Sequence, residues 1–201
     1  MPTSTKPRAD GAAVRRSPRE RLLAAADELF YAEGVQTVGI DRVIERAGVA
    51  KASLYSTFGS KEELVRAYLD AMHERVLKRA RTAVKEAGDD PVQRIVAVFD
   101  AQASRFRSSE FHGCAFAMAS AEAPPDGGIE LATEAYRADL RGLFVELSRD
   151  AGVRDPELLA SQLHLIYDGA NLSMRMDGDP EIASAERIAA ATLIATARGA
   201  R

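Results

Sequence analysis

Helix punctuation constrains this sequence more than any other feature. Ser17-Pro18, Asp90-Pro91, Asp155-Pro156 and Asp179-Pro180 each set a capping side chain directly before a proline. A helix tolerates proline in its first turn, where the missing N–H has no partner in any case. Ser17 with Glu20 spells a capping box, and Ser60-Lys61-Glu62-Glu63 spells a second. Gly34, Gly88, Gly152 and Gly178 fall where the apolar runs end, as helix stops do. Between these marks apolar residues recur with a 3.6-residue period, and no stretch sustains period two. The spacing therefore predicts an all-α chain. Leu22, Leu23, Ala26, Leu29 and Phe30 share one face of the first helix. Leu64, Val65, Tyr68, Leu69, Met72, Val76, Ala80 and Val84 share one face of a long helix ending near Gly88, roughly 40 Å at 1.5 Å per residue. A short apolar run, Cys114 to Ala121, sits between irregular stretches, and Pro124-Pro125-Asp126-Gly127-Gly128 is a break.

Composition closes several other routes. With 46% apolar and 28% charged residues in 201, the chain has the balance of a folded protein of one domain or two small ones. A single cysteine, Cys114, excludes an intrachain disulfide. His73, His112 and His164 are scattered, so no zinc-ligand pattern exists and neither metal nor cofactor is expected. The charge-free run Ile188 to Ala197 is far short of the ~20 apolar residues a membrane span requires. Lys6, Arg8, Arg15 and Arg16 are followed by no apolar region of a secretory signal, so a cytoplasmic protein is expected. Residues 1–16 read as a disordered basic tail. Residues 1–81 carry 15 Lys/Arg against 11 Asp/Glu, and residues 82–201 carry 12 against 19, within a net charge of −3. The first part can approach a polyanion; the second is acidic.

The segment from Val35 to Gly59 is the most informative. Val43, Ile44 and Ala47 face inward from one short helical pattern, Gly48-Val49 turns the chain, and Leu54 and Phe58 face inward from the next. The outward residues of the second pattern are Lys51, Ala52, Ser53, Ser56 and Thr57, small or polar and once basic. A helix entering a DNA major groove requires such a face, because bulky or acidic groups meet bases and phosphates there.

At these residues the sequence resembles the TetR/AcrR family of transcriptional repressors. The resemblance runs through Gly34, Thr37, Asp41-Arg42-Val43-Ile44, Ala47-Gly48-Val49, Lys51, Leu54-Tyr55, Phe58 and Ser60-Lys61-Glu62-Glu63-Leu64, about a quarter of the chain. It departs from the family at Gly39 and Ala50, where a hydroxyl cap is common; no phosphate contact is carried to either. The resemblance implies a helix-turn-helix DNA-binding domain over 17–64, with the helix-turn-helix at about 41–59. Over 65–201 it implies a helical ligand-binding and dimerisation domain. The implied function is a regulator, foremost a repressor, that binds palindromic operator DNA as a homodimer and is released by a small apolar or aromatic inducer.

Within that frame Tyr55, Lys61 and Thr37 are phosphate candidates, with Ser56 and Thr57 beside them, and Lys51 is the candidate to read guanine O6/N7. Ala52 and Ser53 can touch a thymine methyl or a base edge. In the body, the candidate pocket residues are Phe99, Phe106, Cys114, Met118, Tyr136, Phe144, His164, Tyr167, Asp168 and Asn171. The stripe His164, Tyr167, Asp168, Asn171 sets polar groups at helical spacing in an otherwise apolar helix, where they need partners. The last two helical stretches, Asp155–Gly178 and Glu181–Arg198, are candidates for the dimer face. Two other classes compete. A small all-helical enzyme would use Cys114, His112 or the His164/Asp168 pair, although no motif for a nucleophile and base is present. A helical ligand-binding or adaptor protein would lack DNA binding.

Overall fold

The computed structural model describes residues 16–123 and 127–199. Residues 1–15 of the expected tail, with Arg15, and residues 124–126 of the expected break lie outside the described residues. Among the described residues the secondary structure is nine helices and no strand. They are α1 (Pro18–Glu33), α2 (Ile40–Ala47), α3 (Lys51–Phe58), α4 (Lys61–Glu86), α5 (Pro91–Phe106), α6 (Ala115–Glu122), α7 (Gly128–Asp150), α8 (Pro156–Asp177) and α9 (Glu181–Gly199).

The sequence signals act locally as read. Ser17 Oγ accepts the Glu20 N–H at 3.2 Å, and the Glu20 carboxylate accepts the Ser17 N–H at 2.7 Å, so the first capping box is complete. The second is half made. Ser60 Oγ accepts the Glu63 N–H at 3.2 Å, but the Glu63 carboxylate pairs with Arg66 at 2.9 Å instead of returning to Ser60. Asp90 and Asp155 cap α5 and α8 through their carboxylates, and Asp179 accepts the Glu181 N–H at 2.9 Å where α9 begins.

The eight apolar residues expected on the inner face of α4 are all buried. One hydrophobic core consequently runs from α1–α3 into the body along α4. Its upper part is Leu22, Phe30, Val38, Val43 and Leu54, with Phe30 edge-on to Tyr68 of α4 at 5.7 Å. Burying each such aliphatic or aromatic side chain contributes about 1.5–3 kcal/mol. Arg75 of α4 grips Asp27 of α1 through both guanidinium nitrogens, fixing the three-helix head on the long helix. Below, α5 and α7 pack on α4, α8 packs on α7, α9 closes against α5 and α8, and α6 bridges α4 and α7.

Candidate functional site

Two features stand out, one in the head and one in the body. In the head, α2 and α3 meet at Gly48, whose φ of 60° is left-handed and closes the turn. Arg21 of α1 donates to the Gly48 carbonyl and braces this turn from outside. Leu54 is fully buried and Val49 and Phe58 pack on the core, so the opposite face of α3 is turned outward. Lys51, Ala52, Tyr55 and Ser56 are exposed there; Ser53 and Thr57 are half-buried at its edge. Tyr55 is 49% exposed although aromatic. Ser56 and Thr57 both donate their hydroxyls to the Ser53 carbonyl, at 3.2 and 2.5 Å. Thr37 is exposed in the α1–α2 connection, and Lys61 is half-buried at the first position of α4.

The electrostatics divide the head's cations into two groups. Arg42 pairs with Glu33 at 2.6 Å and Arg46 with Glu28 at 2.6 Å, both against α1. Arg19 lies over the Phe58 ring at 5.5 Å. These cations serve the fold. Lys51 pairs across the turn with Asp41 at 2.8 Å, a contact that spans ten residues and raises the lysine pKa. Both partners are exposed, so the pair is worth little in water and is exchangeable. Lys61 has no carboxylate at ion-pair distance among the described residues.

In the body, α6, α7 and α8 line an open cavity of about 750 Å³. Its wall includes Phe116 and Tyr136, stacked face to face at 4.0 Å with 5° between the rings. Met118, Cys114 and Asn171 also line it, as do Arg137 and Asp168, paired at 2.6 Å. Arg175 stands at the rim beside the exposed Leu165 and Leu172. The volume and largely apolar wall match those of small-molecule sites.

Of the ten pocket candidates read from sequence, Cys114, Met118, Tyr136, Asp168 and Asn171 line this cavity. Phe99, Phe106, Phe144, His164 and Tyr167 do not. Phe99, Phe144 and Tyr167 form an aromatic core cluster, with centroids 5.6–6.2 Å apart, between α5, α7 and α8. Phe106 packs on Phe111 at 5.0 Å. His164 is buried with neither ring nitrogen hydrogen-bonded, 3.6 Å from Asp168. Burial lowers its pKa, more than Asp168 raises it, so the ring is neutral at pH 7. Asn171 donates to the Tyr167 carbonyl at 3.2 Å. The polar stripe thus finds part of its partners within the chain. Sequence reasoning missed Arg137 and Arg175. Arg175 was accessible to it, because 164, 168, 171 and 175 continue one helical stripe.

Burial pushes the Cys114 thiol up, opposite to the shift that makes a thiolate nucleophile. His112 is engaged edge-on with Tyr31 at 5.3 Å. Among the described residues no cluster of His, Cys, Asp and Glu is arranged to hold a metal ion, and no helix is long and apolar enough to cross a membrane.

A three-helix head with an exposed short helix after a left-handed glycine turn, carried on a helical body with a cavity, defines a helix-turn-helix protein of the DNA-binding class. The family described as bacterial regulatory proteins, tetR family, matches residues 22–68. A TetR-family transcriptional regulator from Streptomyces coelicolor is similar over the whole fold: 31% identity, TM-score 0.85, covering 90% of this chain and 89% of that one. The reduced form of E. coli NemR has the same fold at 21% identity, with TM-score 0.78 over 86% of this chain and 94% of that one. The HTH-type transcriptional regulator TtgR of Pseudomonas putida is 33% identical over 107 residues, 49% of this chain and 51% of its own. The match thus spans about half the length of that curated relative. The chain belongs to the TetR family.

Proposed function

We propose that the protein is a ligand-responsive transcriptional repressor that acts from the cytoplasm. It binds palindromic operator DNA as a homodimer and leaves it when a small apolar or aromatic inducer fills the α6–α7–α8 cavity. Residues 17–64 act as the reading head and residues 65–201 as the effector and dimerisation body, with no catalytic role. The observation that carries this reading is the outward face of α3. Apart from the aromatic Tyr55, its side chains are small, polar or cationic, while Leu54 and Phe58 of the same helix pack beneath it. Such a helix fits a major groove. The cavity supports the inducer, and the exposed leucines of α8 support the dimer. One long side chain on the reading face leaves part of the specificity to DNA shape.

In this reading Lys51 exchanges Asp41 for a guanine edge, and Ala52 and Ser53 meet neighbouring bases. Tyr55, Ser56, Thr57, Thr37 and Lys61 lie along the phosphates. Lys51→Ala is expected to weaken operator binding by ~1–3 kcal/mol and to relax one base position. Lys61→Ala is expected to weaken operator and random duplexes alike and to flatten the salt slope by about one unit. Titrations of both duplexes across a salt series check this. Identical behaviour of the two variants on the two duplexes would overturn the assignment of roles.

A further inference from the structure

The cavity wall carries an uneven charge pattern, with Glu122, Arg137, Asp168 and Arg175 among its residues. Arg137 is neutralised by Asp168 at 2.6 Å. Glu122, at the end of α6, turns its carboxylate to the head and accepts the Gln36 N–H at 2.8 Å. Arg175 pairs with no carboxylate among the described residues. It donates to the His112 carbonyl and reaches the Met118 sulfur at 3.4 Å. A rim guanidinium beside stacked aromatic rings is matched by a flat apolar body with one acidic group. A guanidinium–oxyanion pair adds a second ionised partner and a bidentate geometry, both of which the carbonyl contact of Arg175 lacks.

The same arginine holds the corner that touches the head. Its aliphatic stem lies against Gly113, whose φ of 108° and lack of a side chain allow this approach; a Cβ there would meet Arg175 Cδ at 2.9 Å. Tyr31 of α1 donates its hydroxyl to the Gly113 carbonyl at 2.9 Å. That hydroxyl accepts from the His112 N–H at 3.2 Å and from Arg105 at 2.8 Å. One short corner, His112–Gly113, is therefore bonded to the cavity rim on one side and to the reading head on the other.

We infer that the cavity takes a flat aromatic anion, an aryl or fused-ring carboxylate or sulfonate, with its acid on Arg175 and its rings against Phe116, Tyr136 and Met118. Seating that acid draws Arg175 from the His112 carbonyl and loosens the corner that holds Tyr31. This rests on the reading of the cavity as the effector site. It adds the ligand's charge, and it adds a route from the cavity to the head through the His112–Gly113 corner.

Two dyes of one shape separate these claims in the full-length protein. 8-Anilino-1-naphthalenesulfonate carries the acid, and N-phenyl-1-naphthylamine has the same rings without it. The wild type is expected to bind one sulfonate dye per chain at least about tenfold tighter than the neutral dye. Arg175→Gln keeps a donor and the side-chain bulk. It is expected to remove that preference while leaving the neutral dye within about twofold. Ala117→Trp, which fills the cavity from α6, is expected to weaken both dyes. Bound sulfonate dye is also expected to speed amide exchange across residues 107–114 in the wild type, and not in Arg175→Gln. If the wild type shows no preference, or if Arg175→Gln keeps it, the anionic class is overturned while the cavity reading stands. If neither dye binds, or if Ala117→Trp changes neither, the cavity reading fails with it. Tight binding through Arg175 without faster exchange at 107–114 would overturn the coupling route.

Discussion

Aspartate at both Leu165 and Leu172 is expected to leave a folded protein that is monomeric and retains operator DNA only weakly. Leu158, Leu165 and Leu172 recur at seven-residue spacing along α8, two helical turns apart, and so share one face. They are 54%, 69% and 59% exposed, and Ile188 of α9 is 66% exposed. Such a row of large aliphatic side chains on the two terminal helices is a surface awaiting cover. The inward positions of those helices are already filled, by Leu159, Leu163, Ala190 and Ile194. In a two-fold interface each substitution counts twice, so the double variant sets four buried charges against one contact. Because both positions are exposed in the single chain, its own fold loses little. A lone head reads one half-site, and affinity is expected to fall toward the non-specific level, on the order of 10³-fold or more. Sedimentation and operator titration of the variant check this. A dimer of unchanged affinity would place the interface elsewhere.

The second large effect concerns Glu186. This side chain of α9 is 4% exposed, and neither carboxylate oxygen has a hydrogen-bond partner. Asp100 of α5 lies nearby, itself paired with Arg187 at 3.1 Å. Burial first, and Asp100 second, push the Glu186 carboxyl up to about 8 from an ordinary 4.5. The fold therefore prefers the protonated acid. Its contribution is intact below about pH 4.5, declines as pH rises, and is gone once pH passes about 8. Glu186→Gln keeps the shape and cannot ionise. At fixed protein concentration it is expected to match the wild type near pH 4.5 and to exceed it at pH 7 by about 3 kcal/mol. Denaturant titrations of both proteins across this range test it. Parallel stability curves would show that Glu186 finds a partner that neutral pH does not disturb.

Legibility in the sequence followed the range of the signal. The caps at Ser17, Asp90 and Asp155, the glycine turn at Gly48 and the inner face of α4 are set by residues within four positions of one another, and the structure realises them. The outward face of α3 was legible for the same reason. The pocket was legible only by halves. Periodicity shows which face of a helix is apolar, but not whether that face meets another helix or a cavity. Phe144 and Phe116 have equal apolar character, yet one is sealed against Phe99 and the other, stacked on Tyr136, forms part of the cavity wall. The Lys51–Asp41 pair and the Tyr31–Gly113 bond join residues 10 and 82 positions apart, beyond any local pattern. Glu63 shows a local motif losing to a local competitor, Arg66, three residues on.

The central claim is sequence-specific DNA binding by a two-fold dimer, and selection of bound duplexes from a random pool at moderate salt tests it most directly. The account predicts enrichment of an inverted repeat whose half-sites are about one helical turn apart, centre to centre, or a multiple of that. Salt-sensitive retention with no enriched sequence would contradict it.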